Sequence, residues 1–213
     1  MAPVPIEFLI SAFVTLFVVI DPVGLAPAFL GITEGLPSPA RRQVGLRACL
    51  IAAIVLAGVA LIGDWLLRQL GITLPAFRIA GGVLLFSIAF DMVFGVRIKR
   101  QSRDAEQAVE EHVRNIAAFP LAIPLMAGPG AITATVLLAG RAAGDPLRLS
   151  VLLVVIAVVC TICFLVYLAA SRIGRILGIT GNVVLSRLQG VLLAALAVQF
   201  VIDGVRAVLA ASP

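Results

Sequence analysis

Charged residues are scarce in this chain, and their scarcity limits the kind of protein it can be. Only 13% of its 213 residues are charged, whereas 62% are hydrophobic and the mean hydropathy is +1.16. A soluble globular domain has about a quarter charged and about half apolar residues. The composition therefore excludes an ordinary water-soluble domain and predicts an integral membrane protein.

Histidine, cysteine and nucleotide-binding motifs are also few or absent. His112, the one histidine, is a lone loop histidine in a polar stretch with no second histidine or cysteine beside it, so no metal site is expected. Cys49, Cys160 and Cys163 lie in apolar runs and are interpreted as buried thiols instead of a disulfide framework or a redox motif. There is no GxxxxGK[ST] loop and no evident nucleophile–base pair, so we expect neither a cofactor nor an enzyme.

Six apolar runs are each long enough to cross about 30 Å of hydrocarbon. Their approximate limits are 7–31, 47–70, 76–96, 116–139, 149–171 and 187–210. The expected fold is a single all-α membrane domain over residues 1–213 with six transmembrane helices. The first and fourth runs contain helix breakers, so a re-entrant pair is the alternative for each. The polar stretch 97–115 is expected to be a cytoplasmic linker that contains a short surface helix at most.

Basic residues are distributed unequally between the two sides of this arrangement. Eleven lie in the connections on one side: Arg41, Arg42, Arg47, Arg97, Lys99, Arg100, Arg103, Arg114, Arg172, Arg175 and Arg187. Five lie on the other: Arg68, Arg78, Arg141, Arg148 and Arg206. The positive-inside rule predicts that the first side is cytoplasmic and that both termini are outside. Since no basic patch is interleaved with aromatic residues, the net charge of +5 does not indicate a nucleic-acid partner.

The two halves of the chain resemble each other weakly. FVTLFVVIDPVG (13–24) aligns without gaps with FPLAIPLMAGPG (119–130), at an offset of 106 positions. RIAGGVLL (78–85) resembles RLQGVLLA (187–194) at an offset of 109. These matches predict two repeats, 7–96 and 116–210. Because each repeat has three spans, the second copy enters the membrane from the opposite side, as in many secondary transporters.

The first and fourth runs are predicted to be broken helices. Pro22 and Gly24 interrupt the first run, with helix on both sides of a break at 21–24. Gly128, Pro129 and Gly130 interrupt the fourth. Broken backbone leaves unpaired polar groups that hydrocarbon cannot satisfy, so both breaks should face a polar cavity or other protein. Amides at the start of the second half-helix, at Gly130 and Ala131, are a candidate anion site, and Thr133 adds a hydroxyl one turn later.

Asp21 is a carboxylate at mid-membrane depth, where a charge by default marks a functional site. Its counterpart in the second repeat is the uncharged Ala127. One interpretation is that Asp21 receives the ammonium group of a zwitterion whose carboxylate lies at Gly130 and Ala131. A second is that Asp21 only caps the second half-helix. A third is that Asp21 titrates and couples transport to H⁺ or Na⁺.

Asp91, Gln199 and Asp203 are the other polar residues predicted inside the membrane. Asp91 is expected near the cytoplasmic end of the third span and Asp203 near the outer end of the sixth. They are candidates for a solute pathway or for proton transfer. Since they lie near span ends, simple solvation is the alternative.

Four motifs resemble the MarC family of bacterial inner-membrane proteins: DPVGLAPAFLGIT, FRIAGGVLLFSIAFDM, IPLMAGPGAIT and GVLLAALAVQFVIDGV. The family is similar to a group of six-span neutral amino acid transporters and to the wider LysE-type exporters. The resemblance implies six helices, location in the inner membrane, and transport of small solutes, with neutral amino acids as the best-supported class.

The function expected is therefore secondary transport of a small zwitterion by alternating access between the two breaks. The bilayer and a small-molecule substrate are the expected partners. The expected substrate-binding residues are Asp21, Pro22, Gly24, Gly128, Pro129, Gly130, Ala131 and Thr133. A non-transporting scaffold or regulatory protein and a passive channel are the alternatives.

Overall fold

The computed structural model describes residues 6–96, 117–142 and 144–211, without the side chains of 119, 120, 173–179, 182 and 211. Every regular element in these ranges is a helix. They are α1 (Ile6–Ile20), α2 (Leu25–Ile32), α3 (Ser38–Gln69), α4 (Leu74–Val93), a π-helical segment (Ala117–Met126), α5 (Pro129–Arg141) and α6 (Pro146–Ala211). The predicted all-α class is confirmed. The linker 97–115, with His112, lies outside the described residues.

Four helical stretches are long and apolar enough to cross a membrane. They are Ser38–Gln69, Leu74–Val93, Pro146–Arg172 and Val183–Ala210. The pair α1 and α2, bent by 45° at the break between them, passes the same test together and gives a fifth. The fourth run of the sequence forms the ten-residue π-helical segment and the 13-residue α5, neither of which is long enough alone.

Helix α6 differs from the expected pair of helices with a polar connection. Its 66 residues are helical throughout, and a straight helix of that length would extend about 100 Å. Yet Arg141, just before α6, contacts Asp203 near its far end, with 3.2 Å between Nη2 and Oδ2. The helix must therefore reverse direction between its two apolar spans. The apolar content of both spans was predicted, but the helical reversal was not.

Helix α4 packs antiparallel to the second span of α6 through glycines. A β-carbon at Gly82 would lie 2.7 Å from the carbonyl oxygen of Ala197, and one at Gly190 would lie 3.1 Å from that of Ala89. One at Gly204 would lie 2.9 Å from the carbonyl oxygen of Pro75. The absence of side chains lets the two backbones approach closely, which is typical of helix packing in membranes.

Helix α5 occupies the centre of the bundle. All its residues from Gly130 to Gly140 are buried except Ile132, which is half-buried. A β-carbon added at Gly63 of α3 would touch Val136. One added at Gly81 of α4 would lie 3.0 Å from Leu137. The second half of the interrupted fourth run is therefore enclosed by protein, as its irregular start requires in a membrane.

Candidate functional site

The first break is closed by Asp21. The main-chain N–H of Asp21 donates to the carbonyl oxygen of Phe17 (2.9 Å) and so completes the last turn of α1. Asp21 then takes a φ of +57°, the left-handed region that aspartate tolerates better than most residues. Its Oδ1 accepts a hydrogen bond from Gly24 N (2.9 Å), and its carbonyl oxygen accepts one from Leu25 N (3.1 Å). The predicted break at 21–24 is confirmed, and Asp21 caps the start of α2.

Gly24 is required by this geometry. A β-carbon at Gly24 would overlap Oδ2 of Asp21 and would lie only 2.6 Å from its Cγ. The carboxylate is thus folded over the glycine and is 2% exposed. Pro22, beside it, is also buried, and Pro27 falls in the first turn of α2, where a missing N–H is harmless.

The second break has no carboxylate. Ala127 N donates to the carbonyl oxygen of Ala122 (2.8 Å), which ends the π-helical segment. Pro120 and Pro124 each lack an N–H group, so that segment cannot form a regular α-helical pattern. Gly128 is extended and buried, and Pro129 is the first residue of α5.

The first amides of α5 differ from those of α2. The first hydrogen bond of α5 runs from Ile132 N to the carbonyl oxygen of Gly128 (3.0 Å). The amides of Gly130 and Ala131 therefore have no acceptor inside the helix. Both residues are buried, so the positive end of the α5 dipole lies inside the protein.

The structure brings the two breaks side by side. A β-carbon at Gly130 would lie 3.3 Å from Cγ1 of Val19, which is two residues before Asp21. The same position is crowded by Ile88 and lies 3.7 Å from Cδ2 of Leu85, both of α4. The end of α1 and the start of α5 therefore meet against α4.

The remaining candidate substrate residues follow the start of α5. Ala131 is 3% exposed and Thr133 is 5% exposed, whereas Pro129 is exposed. A β-carbon added at Gly81 would lie 2.6 Å from the methyl carbon of Thr133, so a side chain at Gly81 would displace Thr133. Thr133 is thus held between α5 and α4, one turn beyond Gly130.

The candidate pathway residues divide between the two ends of the bundle. Gln199 Nε2 donates to Asp203 Oδ1 (2.7 Å), and Oδ2 of the same carboxylate contacts Arg141. This region is called the Asp203 end. Asp91 is half-buried at the opposite end of α4. The next residue, Met92, packs against α6, because a β-carbon added at Gly190 would lie 2.9 Å from Cβ of Met92.

Arg141 was not identified as a site residue from the sequence. It is separated from Asp203 by 62 positions, and no local spacing pairs them. The one available signal was that both residues were expected on the outer side. The buried Thr15 was also missed; its hydroxyl has no hydrogen-bond partner among the described residues. By contrast, the ion pair of Asp64 with Arg68 follows from their i,i+4 spacing and is present.

The fold and the paired breaks define a helical multi-pass integral membrane protein. Residues 6–209 match the sequence model of the family described as MarC family integral membrane protein. The chain therefore belongs to the MarC family.

Curated relatives match nearly the whole chain. It is 36% identical over 207 residues to the UPF0056 membrane protein MJ1677 of Methanocaldococcus jannaschii, covering 96% of this chain and 98% of that protein. It is 37% identical over 200 residues to a UPF0056 membrane protein of Archaeoglobus fulgidus, covering 93% and 92%. It is 36% identical over 197 residues to the UPF0056 membrane protein YhcE of Escherichia coli, covering 92% and 91%. No solved structure matches.

Proposed function

We propose that this protein is a secondary transporter of a small zwitterionic solute, with neutral amino acids as the best-supported class. The solute binds between the two breaks, and the bundle opens to each side of the membrane in turn. The observation that carries the proposal is the contact of the two breaks at Val19 and Gly130 in the interior of the bundle. A scaffold needs no such pair of breaks, each of which exposes backbone groups that cost free energy in a membrane.

The charges of the two breaks suit a zwitterion. The first break contributes the carboxylate of Asp21, and the second contributes the amides of Gly130 and Ala131 at a helix N-terminus. An ammonium group is attracted to the first and a carboxylate to the second. Asp21 caps α2 and carries this charge at once, so the capping and binding interpretations are compatible. The same carboxylate is the candidate for coupling to H⁺ or Na⁺.

An inverted repeat is supported by the packing of α4 on α6. At Gly82 the neighbours are Ala197 O and Val201 Cγ2; at Gly190 they are Ala89 O and Val93 Cγ2. Gly82, Ala89 and Val93 precede Gly190, Ala197 and Val201 by 108 positions each. An antiparallel pair with reciprocal contacts is what a two-fold axis between equivalent helices produces. The spacing lies between the two offsets, 106 and 109, of the sequence matches.

Under this proposal the π-helical segment and α5 together make the fourth of six spans. The Asp203 end is periplasmic, both termini lie outside, and the protein resides in the inner membrane. Fusions of the C-terminus to alkaline phosphatase and to green fluorescent protein test the orientation. We expect phosphatase activity and little fluorescence; the reverse pattern contradicts the assigned orientation.

The decisive test is flux into liposomes. Purified protein is reconstituted and assayed with labelled alanine, serine, glycine and threonine under H⁺, Na⁺ and solute gradients. We expect at least one amino acid to accumulate above protein-free vesicles. Failure of all four under every gradient contradicts the amino-acid assignment, and leakage proportional to concentration without accumulation or counterflow indicates a passive channel.

A further inference from the structure

Three charged side chains meet at the Asp203 end, and their charges do not balance. Arg141 contacts Asp203, and Arg78 lies close enough to Arg141 for the two cations to repel each other. Arg78 also lies beside Gly204, which follows Asp203 in the chain. A β-carbon added at Gly204 would lie 3.2 Å from Cβ of Arg78. Among the residues that the structure describes, Arg78 has no acidic partner.

Asp203 is already engaged on both oxygens. Oδ1 accepts from Gln199 (2.7 Å), and Oδ2 accepts from Arg141 (3.2 Å). The guanidinium carbon of Arg141 also lies 4.9 Å from the centre of the Phe200 ring, which fixes its position. Arg141 and Asp203 are 27% and 29% exposed, so water can reach this group of side chains without fully solvating it.

Arg78 is half-buried and has no counter-ion among the described residues. Its Nε is buried and has no hydrogen-bond partner in the described part of the chain. A buried donor without an acceptor, on a charged group, is costly unless a ligand supplies the acceptor. A carboxylate fits this place, because it supplies one negative charge and two acceptor oxygens that a guanidinium binds in a planar, two-point arrangement.

We propose that Arg78 and Arg141 form a docking site for a carboxylate group, and that Asp203 takes the place of this carboxylate at Arg141 when the site is empty. A carboxylate that arrives at Arg78 balances the local charge and competes with Asp203 for Arg141. Because Arg141 ends α5 and Asp203 lies in α6, this competition also loosens the link between the two helices. The site extends the proposed function: it identifies the carboxylate of the solute as the group recognised first, although the site itself can be tested without transport.

Arginine modification tests the site directly. The purified full-length protein in detergent is treated with phenylglyoxal, and the modification rate of each arginine is measured by peptide mass spectrometry. We expect sodium propionate and L-alanine to slow modification of Arg78 and Arg141 several-fold, and neutral propionamide to have no effect. Arg68, paired with Asp64 in an exposed position at the same end, is the internal reference and should react at an unchanged rate.

The variant Asp203→Asn removes the competing charge but keeps an acceptor for Gln199. In this variant we expect propionate to protect Arg141 from phenylglyoxal at several-fold lower concentrations than in the wild type. Equal protection by propionamide, no protection by propionate, or an unchanged concentration in a folded Asp203→Asn variant would overturn the proposal. If this variant does not fold, the comparison of propionate with propionamide in the wild type decides alone.

The outcome is separable from that of the flux assay. Protection by propionate without amino-acid transport retains the docking site and rejects the assigned solute. Transport of an amino acid without protection by any carboxylate retains the transporter and rejects the docking site.

Discussion

The two helix breaks solve the same backbone problem in different ways. The first is satisfied internally, because the carboxylate of Asp21 folds back over Gly24 and accepts its N–H. The second begins with Pro129 and leaves the amides of Gly130 and Ala131 without an acceptor in α5. One break places a carboxyl group at its turn, and the other presents main-chain N–H donors. The comparison indicates that two breaks in one chain can satisfy their backbone groups in different ways and present complementary polar groups to the interior.

Removing the charge from the first break should have the largest effect. Asp21→Asn retains a residue that tolerates the left-handed conformation and an oxygen that can accept from Gly24 N. We expect uptake into liposomes to fall to background while the melting temperature changes by only a few degrees. Asp21→Ala is the matched variant: it loses the cap as well, at about 1 kcal/mol, and should also be less stable. Wild-type uptake by Asp21→Asn would exclude the charge from the mechanism.

Crowding the second break should come next. A side chain at Gly130 meets Ile88, so Gly130→Val should abolish transport, and Gly130→Ala should reduce both transport and melting temperature. The double variant Gly130→Ala with Ile88→Ala provides space for the new methyl group and leaves the amide unchanged. We expect it to regain stability and transport. A stable double variant that remains inactive indicates that the solute itself needs the space beside Gly130.

At the first break, a glycine substitution should act through the cap. The β-carbon of Gly24→Ala overlaps the Asp21 carboxylate, so we expect the melting temperature to fall by several degrees. Gly58→Ala in α3 is the control, because nothing lies within 4 Å of its β-carbon position. It should be neutral or stabilising by about 0.5–1 kcal/mol. Equal effects of the two variants on thermal unfolding would contradict the tight cap.

The smallest effect is expected at Pro129. It is exposed and occupies the first position of α5, where a proline gives up no hydrogen bond. Pro129→Ala should therefore change stability by less than about 1 kcal/mol, in thermal unfolding, and reduce uptake only modestly. Loss of transport comparable to that of Asp21→Asn would mean that the rigidity of the second break matters as much as the charge of the first.

Local chemistry made parts of this fold predictable. Pro22 placed the first break correctly, because it lacks an N–H group and crowds the turn before it. Gly24 has helical φ and ψ, and its role at the break is to leave room for the Asp21 carboxylate. The ion pair of Asp64 with Arg68 likewise follows from spacing along a single helix.

The features that escaped prediction depend on tertiary contacts. The pairing of Arg141 with Asp203 joins side chains 62 positions apart on two different helices, and no local spacing indicates which residues meet there. The position of Ile88 against Gly130 gives this glycine a packing role, where the sequence had suggested only close approach of a ligand.

The three glycine contacts between α4 and α6 have a mechanical consequence. Backbones packed this tightly cannot slide past each other without steric overlap, so we expect the two helices to move as one rigid pair. If the proposed alternating access is correct, the opening to each side then comes from movement of the short half-helices relative to this rigid pair.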